Sequence, residues 1–211
     1  ITIVFNANTT YTTYTGNGWL AEVRDSRPAA MEITEIRAFQ ASTDPVKILA
    51  TDVPTIGVRI ITEGYGKPVT LDEMTLNLKG CQDRVKNVSL YTTGARSTFT
   101  DPVRIAGSSE PAPTLSLLPS EPVILPSDTS WYWITYDMKG GIEPGLPVDA
   151  ALISIRSGGE MAEPVAGDPD GERLTQNVYD LLNGDNGTIV VDEPVLFYDD
   201  GGSQGNYSRN F

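Results

Sequence analysis

The abundance of β-branched residues constrains the fold of this chain more than any other feature. Threonine, valine and isoleucine make up 53 of its 211 residues, and their branched side chains fit a pleated strand better than a helix. The chain also carries 20 glycines and 15 prolines, which interrupt it at the short intervals expected of turns between strands. We therefore predict an all-β protein, an antiparallel β-sandwich of the jelly-roll or immunoglobulin-like kind.

Ten runs of β-forming residues predict the strands of this sandwich. The run from Val69 to Lys79 changes its apolar alternation at Asp72 and Glu73, which predicts a β-bulge there. Prolines between residues 107 and 126 predict an edge strand with loops. The predicted strands are Ile1–Asn6, Gly18–Arg24, Met31–Gln40, Gly57–Glu63, Val69–Lys79, Lys86–Thr93, Thr114–Leu118, Trp131–Met138, Val148–Arg156 and Thr188–Tyr198.

The ionisable residues exclude several classes of function. The chain has 28 acidic and 15 basic residues, and a net negative surface repels the phosphates that dominate nucleic-acid affinity. Without histidine, a Ser-His-Asp or Cys-His relay cannot form. The single cysteine, Cys81, can form no intrachain disulfide, and without a neighbouring base it is predicted to be inert. No apolar run is long enough to span a membrane. We therefore predict neither a nucleic-acid partner nor membrane insertion.

The last quarter of the chain differs in composition from the rest. Residues 160–211 contain 11 acidic and two basic side chains. The strings G-D-P-D-G-E at 167–172 and N-G-D-N-G at 183–187 are typical of turns and loops. We predict an acidic linker over 161–187, followed by a separate β segment over 188–211.

A string near the middle of the chain carries a resemblance to a known family. Residues 128–138 read D-T-S-W-Y-W-I-T-Y-D-M, and 144–150 read P-G-L-P-V-D-A. They resemble the N-Y-x-W-L-x-Y-D-I … G-N-x-I-D-A signature of the sialidase amino-terminal, BNR-associated β-sandwich of secreted Bacteroidetes proteins, with Ser130 where that family has asparagine. The resemblance implies one β-sandwich domain over 30–160.

Both ends of the chain resemble parts of CUB-like domains. The string F-Y-D-D-G-G-S-Q-G-N-Y-S at 197–208 is similar to the opening of such a domain, and G-W-L-A-E-V at 18–23 is similar to its closing strands. The resemblance implies the end of one CUB-like domain over 1–25 and the start of another over 188–211. Incomplete sheets have free edges, so we expect pairing with neighbouring modules or like chains. The resemblance also implies an extracellular location on a bacterial cell surface.

Calcium is the one cofactor for which the sequence offers a mechanism, because closely spaced carboxylates and glycines can supply its oxygen ligands. Asp168, Asp170 and Glu172 alternate within one turn, and Asp199 and Asp200 belong to a second oxygen-rich turn. The full calcium-loop pattern D-x-[DN]-x-[DN]-G-x5-E is absent. The alternative interpretation is a solvated acidic segment that binds no cofactor.

Two tryptophans are the candidate ligand-binding residues. Trp131 and Trp133 lie on the same face of one predicted strand, because side chains alternate along a strand. If this face is exposed, the indoles can stack on sugar rings. If it is buried, they fill the core of the sandwich, which is the favoured interpretation because aromatic residues dominate such interiors.

These observations lead to three hypotheses about function. The missing catalytic residues favour a non-catalytic structural or adhesive segment of a large secreted or cell-surface bacterial protein. A carbohydrate-binding accessory module of a sialidase-like glycosidase, with surface glycans as partners, is the second. A non-catalytic domain of a secreted protease is the third. Asp137 and Asp149 could in principle pair for glycosidic chemistry, but their positions at strand ends favour turn hydrogen bonding.

Overall fold

The computed structural model describes residues 29–177 and the backbone of two short strands before them. One turn of 3-10 helix covers Gln82–Arg84, and no α-helix occurs in this part of the chain. The strands, in chain order, are β1 (Thr15–Gly16), β2 (Trp19–Leu20), β3 (Glu32–Gln40), β4 (Val46–Lys47), β5 (Val53–Glu63), β6 (Thr70–Leu71), β7 (Glu73–Asn77), β8 (Val85–Gly94), β9 (Val103–Ser108), β10 (Thr114–Leu117), β11 (Val123–Ile124), β12 (Thr129–Met138), β13 (Pro147–Val148), β14 (Ala151–Ser157), β15 (Glu160–Ala162) and β16 (Arg173–Gln176).

Two antiparallel sheets form the body of the protein. The larger sheet has the strand order β3-β5-β12-β8-β9, and the smaller has the order β10-β7-β14-β15. Strands β13, β16 and β4 form a short additional sheet, in which β16 and β4 are parallel. The predicted all-β antiparallel sandwich is confirmed.

The core lies between the two sheets and follows from side-chain alternation. On β12, Tyr132, Ile134 and Tyr136 point inward and are almost completely buried. They belong to one apolar cluster with Leu76 of β7 and Ile155 of β14, on the opposite sheet. Removing this apolar surface from water is the main favourable contribution to folding. We call the opposite face of the larger sheet the outer face.

The predicted irregularity at Asp72 lies where the sequence places it. Strand β6 ends at Leu71 and pairs with β11, whereas β7 begins at Glu73 and pairs with β10 and β14. The Asp72 carboxylate accepts hydrogen bonds from Thr70 Oγ1 at 2.7 Å and from the Gly159 amide at 3.1 Å. The chain thus changes pairing partners at Asp72, which is a larger change than a bulge within one continuous strand.

The first half of the predicted linker differs from the structure. Residues 161–177 include parts of β15 and all of β16, and Arg173, Thr175 and Asn177 are buried. The intervening segment, residues 164–167, connects the two sheets. The Val165 amide donates to Ile36 O on β3, and the Leu152 amide of β14 donates to Gly167 O. The acidic residues of this region are exposed, and they suggested a linker. The alternating buried residues Arg173, Thr175 and Asn177 show instead that the chain forms a strand there.

Several predictions fall on residues that the structure does not describe. They include the strands at Ile1–Asn6 and Thr188–Tyr198, and most of the CUB-like segments over 1–25 and 188–211. Within the predicted strand Gly18–Arg24, the backbone of β2 is described and pairs with β1. Across the described part of the chain, no helix has the length and apolar character needed to cross a membrane.

Candidate functional site

Five aromatic rings are in continuous contact on the outer face of the larger sheet. Neighbouring ring centroids lie 5.5 to 6.1 Å apart, within the range of favourable aromatic pairs. The two indoles are nearly parallel, with 21° between their planes. We call this row the aromatic tract, and its members in order of contact are Phe39, Trp131, Trp133, Phe99 and Tyr91.

Two features determine where the two indoles lie: the alternation of side chains along β12, and the absence of a side chain at Gly57. Trp131 and Trp133 point to the outer face because Tyr132 between them points into the core. Gly57 is the cross-strand partner of both Trp133 and Phe39. A Cβ atom at Gly57 would lie 3.0 Å from Cζ3 of Trp133, so the missing side chain makes room for the indole ring.

The predicted burial of the two tryptophans is confirmed for Trp133 and not for Trp131, and neither indole lies between the two sheets. Neither belongs to the apolar cluster between the sheets. Trp133 is nevertheless buried, because Phe99 from the loop between β8 and β9 packs on it. Its Nε1 donates a hydrogen bond to Thr93 Oγ1 at 2.9 Å. Trp131 is only half-buried and is therefore the indole that a ligand can reach more readily.

A cavity of about 440 Å³ lies beside the aromatic tract, within the usual size range for small-molecule sites. We call it the outer-face cavity. Trp133 and Phe99 supply its aromatic wall, and Arg173 supplies a positive charge. The remaining polar lining comes from Ser42, Asp44, Ser97 and Thr98.

An ion-pair cluster flanks the Phe39 end of the tract. The guanidinium carbon of Arg59 lies 5.3 Å from the centroid of the Phe39 ring, and Nη2 of Arg59 donates to Glu35 Oε1 at 2.6 Å. Arg37 donates to the same oxygen at 3.3 Å. The hydrogen bond from Arg59 is the main reason that the pKa of Glu35 is lowered. At this end of the tract, one carboxylate therefore pairs with two guanidinium groups.

A hydrogen-bonded network flanks the Tyr91 end. The Tyr91 hydroxyl donates to Asp52 Oδ1 at 2.6 Å, and the Asp52 amide donates to Asp137 Oδ1 at 2.8 Å. Asn87 Nδ2 donates to Asp137 Oδ2 at 2.7 Å. Asp137 therefore binds backbone and amide groups, as the sequence predicts for a carboxylate at a strand end.

Tyr91 offers a test of this network in solution. Partial burial and, next, the hydrogen bond to Asp52 raise its pKa to about 12. In an unfolded chain the pKa of a tyrosine is about 10. The folded state therefore retains the proton between these values, and the stability from this group is lost as pH rises through that window.

We expect Asp52→Asn to lower the pKa of Tyr91, because it removes the neighbouring negative charge. The measurement is the ultraviolet absorbance of tyrosinate during alkaline titration, with the Tyr91→Phe spectrum subtracted. An unchanged Tyr91 pKa in Asp52→Asn would contradict the contact.

The predicted calcium residues Asp168, Asp170 and Glu172 line a surface depression of about 360 Å³ with Lys79 and Asp149. Lys79 Nζ contacts Asp168 Oδ2 at 2.7 Å. Burial raises the pKa of Asp149, and the neighbouring carboxylates of Asp168 and Glu172 add to this effect. Among residues 29–177, no three acidic or cysteine side chains are close enough together to hold a metal ion. Calcium binding at these residues stays a prediction.

The other predicted site residues have different positions. Asp199 and Asp200 lie outside the described residues. The carbonyl oxygen of Asp149 accepts hydrogen bonds from the Tyr136 hydroxyl at 3.1 Å and from Cys81 Sγ at 3.3 Å. Burial raises the pKa of the Cys81 thiol, which keeps it protonated and agrees with the predicted inert role.

Three contributors to the site were not predicted from the sequence as site residues: Phe39, Phe99 and Arg173. Phe39 lies on the outward-pointing face of β3. Its contact with Trp131 cannot be predicted until the order of the strands in the sheet is known. Phe99 lies in a loop, where alternation carries no information. Arg173 lies 129 residues from Asp44, whose carbonyl it binds, and no local pattern indicates that contact.

Comparisons with known proteins complete the description of the site. No protein-family profile matches the chain, and no curated protein matches it. One solved structure to which it is similar is the Hadza microbial sialidase Hz136, at 12% sequence identity and a TM-score of 0.49. The similarity covers 63% of this chain and 31% of that protein, so the chain matches about a third of its length.

Proposed function

We propose that this protein is a non-catalytic carbohydrate-binding module that recognises saccharides with its aromatic tract and outer-face cavity. The observation that carries the proposal is the partly exposed Trp131 in a row of aromatic rings, beside a cavity with polar lining residues. A module of this kind holds a larger protein on a glycan-bearing surface. It thereby fulfils the adhesive role predicted from the sequence, at an extracellular location.

The chemistry of a sugar ring supports this assignment. One face of a pyranose presents C–H groups, which pack against an aromatic face, and its rim presents hydroxyl groups. The tract supplies adjacent aromatic faces, and Ser42, Asp44, Ser97 and Thr98 supply hydrogen-bonding groups in the neighbouring cavity.

Two features of the described residues support a non-catalytic role. Asp137 belongs to the network at the Tyr91 end of the outer face, whereas Asp149 lines the acidic depression with Lys79. These carboxylates therefore do not flank one cavity, as the paired acid and base of a glycosidase must. The chain also contains no histidine.

The test compares Trp131→Ala with the unaltered protein. A glycan array identifies the saccharides that bind, and calorimetry measures their affinity. We expect Trp131→Ala to weaken binding by about tenfold or more, since truncating a central aromatic contact commonly has an effect of this size. Near-ultraviolet circular dichroism checks that the variant is folded.

Tyr65→Ala is the matched control, because Tyr65 is a strongly exposed aromatic residue outside the tract. We expect this variant to bind like the unaltered protein. Equal affinity of the Trp131→Ala variant, or no binding to any saccharide by the unaltered protein, would refute the proposal. Release of reducing sugar from a bound glycan would refute its non-catalytic part.

A further inference from the structure

We infer that the preferred saccharide carries an anionic group, a carboxylate or a sulfate, and that Arg173 receives this group in the outer-face cavity. This inference rests on the proposed function and specifies its ligand class. Its basis is the position of one buried guanidinium beside the aromatic rings.

Arg173 is exceptional among the charged residues of the described chain. It is only 9% exposed, and it is the one charged residue among those that are buried there. A buried charge is costly unless it is paired. The other described arginines that form ion pairs do so at more exposed positions and with carboxylates, as Arg59 does with Glu35.

The hydrogen-bond partners of Arg173 hold its side chain in place without forming an ion pair with it. Its Nε donates to the carbonyl oxygen of Asp44 at 2.7 Å, and its Nη1 donates to that of Pro54 at 2.8 Å. Both acceptors are uncharged. The Asp44 carboxylate attracts the guanidinium electrostatically but is not its hydrogen-bond partner, and it accepts a hydrogen bond from Ser42 Oγ at 2.9 Å. The guanidinium therefore keeps its charge and is already held in place for a ligand.

The remaining hydrogens of the Arg173 guanidinium suit an anion with more than one oxygen. A guanidinium has five N–H donors in a planar arrangement, and its Nη2 has no partner among residues 29–177. Arginine binds carboxylate and other oxyanions with two parallel hydrogen bonds where geometry permits. An oxyanion at this position would compensate the buried charge.

The same cavity also provides a contact for the rest of such a ligand. Trp133 and Phe99 line it together with Arg173, so an acidic sugar can place its ring near the aromatic wall and its anionic group at the guanidinium. The protein as a whole has a net charge of −13 and repels anions in general. A preference for acidic sugars would therefore have to arise from a local site such as this one.

The experiment uses a glycan array that carries uronate-containing, sulfated and neutral saccharides. We expect the acidic members to bind at least about tenfold more tightly than their neutral counterparts, and the uronate and sulfate arms identify which anion is preferred. Binding to neutral saccharides alone would overturn this inference and leave the proposed function intact. No binding to any member would remove both.

Ser97→Asp tests the charge dependence without altering Arg173. Ser97 is exposed in the loop between β8 and β9 and lines the cavity, so the substitution adds a negative charge there at little cost to folding. We expect Ser97→Asp to bind the acidic saccharide about tenfold more weakly than Ser97→Asn does, and the two variants to bind neutral saccharides equally. Ser97→Asn is the uncharged control. Equal binding of the acidic saccharide by both variants would overturn the inference.

Arg173→Gln removes the guanidinium itself, and we expect it to abolish the preference for acidic over neutral saccharides. Because Arg173 also binds two backbone carbonyls, circular dichroism must show that this variant folds. If it does not fold, the comparison of Ser97→Asp with Ser97→Asn tests the inference. A folded Arg173→Gln variant that keeps its preference for acidic saccharides would also overturn the inference.

Discussion

Tyr136→Ala is expected to lower the free energy of unfolding by about 4 kcal/mol, the usual loss for truncating a buried aromatic residue. Tyr136 is completely buried on the inner face of β12, between strands β5 and β8 in the centre of the larger sheet. Its removal leaves a cavity that surrounding strands, held by their hydrogen bonds, cannot close. Urea denaturation followed by far-ultraviolet circular dichroism measures the loss.

Tyr136→Phe separates the packing contribution from the hydrogen bond. The phenylalanine fills nearly the same volume but cannot donate to Asp149 O. Cys81 Sγ still donates to that oxygen, so the carbonyl keeps a partner. We expect a loss of about 1 kcal/mol. A similar loss in both variants would show that packing of the ring contributes little, contrary to the core described above.

Gly167→Ala is expected to destabilise the protein by about 3 kcal/mol, at the upper end of overpacking costs. A Cβ atom at Gly167 would overlap the carbonyl oxygen of Leu152. Leu152 lies on β14, an inner strand of the smaller sheet, and its amide binds Gly167 O at 2.7 Å. The segment over 164–167 would therefore have to separate from β14, and it is this segment that connects the two sheets.

Gly107→Ala is the matched control for this prediction. A Cβ atom at Gly107 would be as close to another group, but that group is the end of the Arg104 side chain, which is exposed on the edge strand β9 and can move aside. We expect Gly107→Ala to change the free energy of unfolding by less than about 1 kcal/mol. Thermal denaturation of both variants gives the comparison, and equal losses would contradict the explanation by backbone overlap.

The Tyr136 prediction concerns a residue that does not face the proposed ligand. The inner face of β12 carries Tyr132 and Tyr136, whereas its outer face carries Trp131 and Trp133. Substitutions at exposed outer-face positions can thus change binding with little effect on the core. This separation makes the proposed binding experiments interpretable, since loss of binding need not reflect loss of folding.

Much of the fold was predictable because its signals are local. The β-branched composition and the frequent turn residues predicted the all-β sandwich. The phase change of apolar residues predicted the irregularity at Asp72, and β12 was placed within two residues of its start. The short strand β9 and the strands β15 and β16 were not predicted, because polar and acidic residues interrupt their alternation.

The candidate site was less predictable because it is assembled from distant parts of the chain. Its cavity combines Ala41, Ser42, Asp44 and Pro54 with residues 97–99, Trp133 and Arg173. Alternation established that Trp131 and Trp133 share one face, but it could not determine which face the second sheet would cover. Their favoured placement between the sheets was therefore wrong, although Trp133 is buried as predicted.

The sequence by itself determined that the chain forms short strands, that a relay based on histidine is impossible, and that two indoles lie side by side. These properties depend on residue type and on spacing within single strands. Only the tertiary structure decided that the indoles face outward and that Arg173 lines the cavity beside Trp133 without a direct ion pair to any of the described residues. Strand order and sheet packing bring such groups together across more than a hundred residues, and no local pattern encodes that proximity.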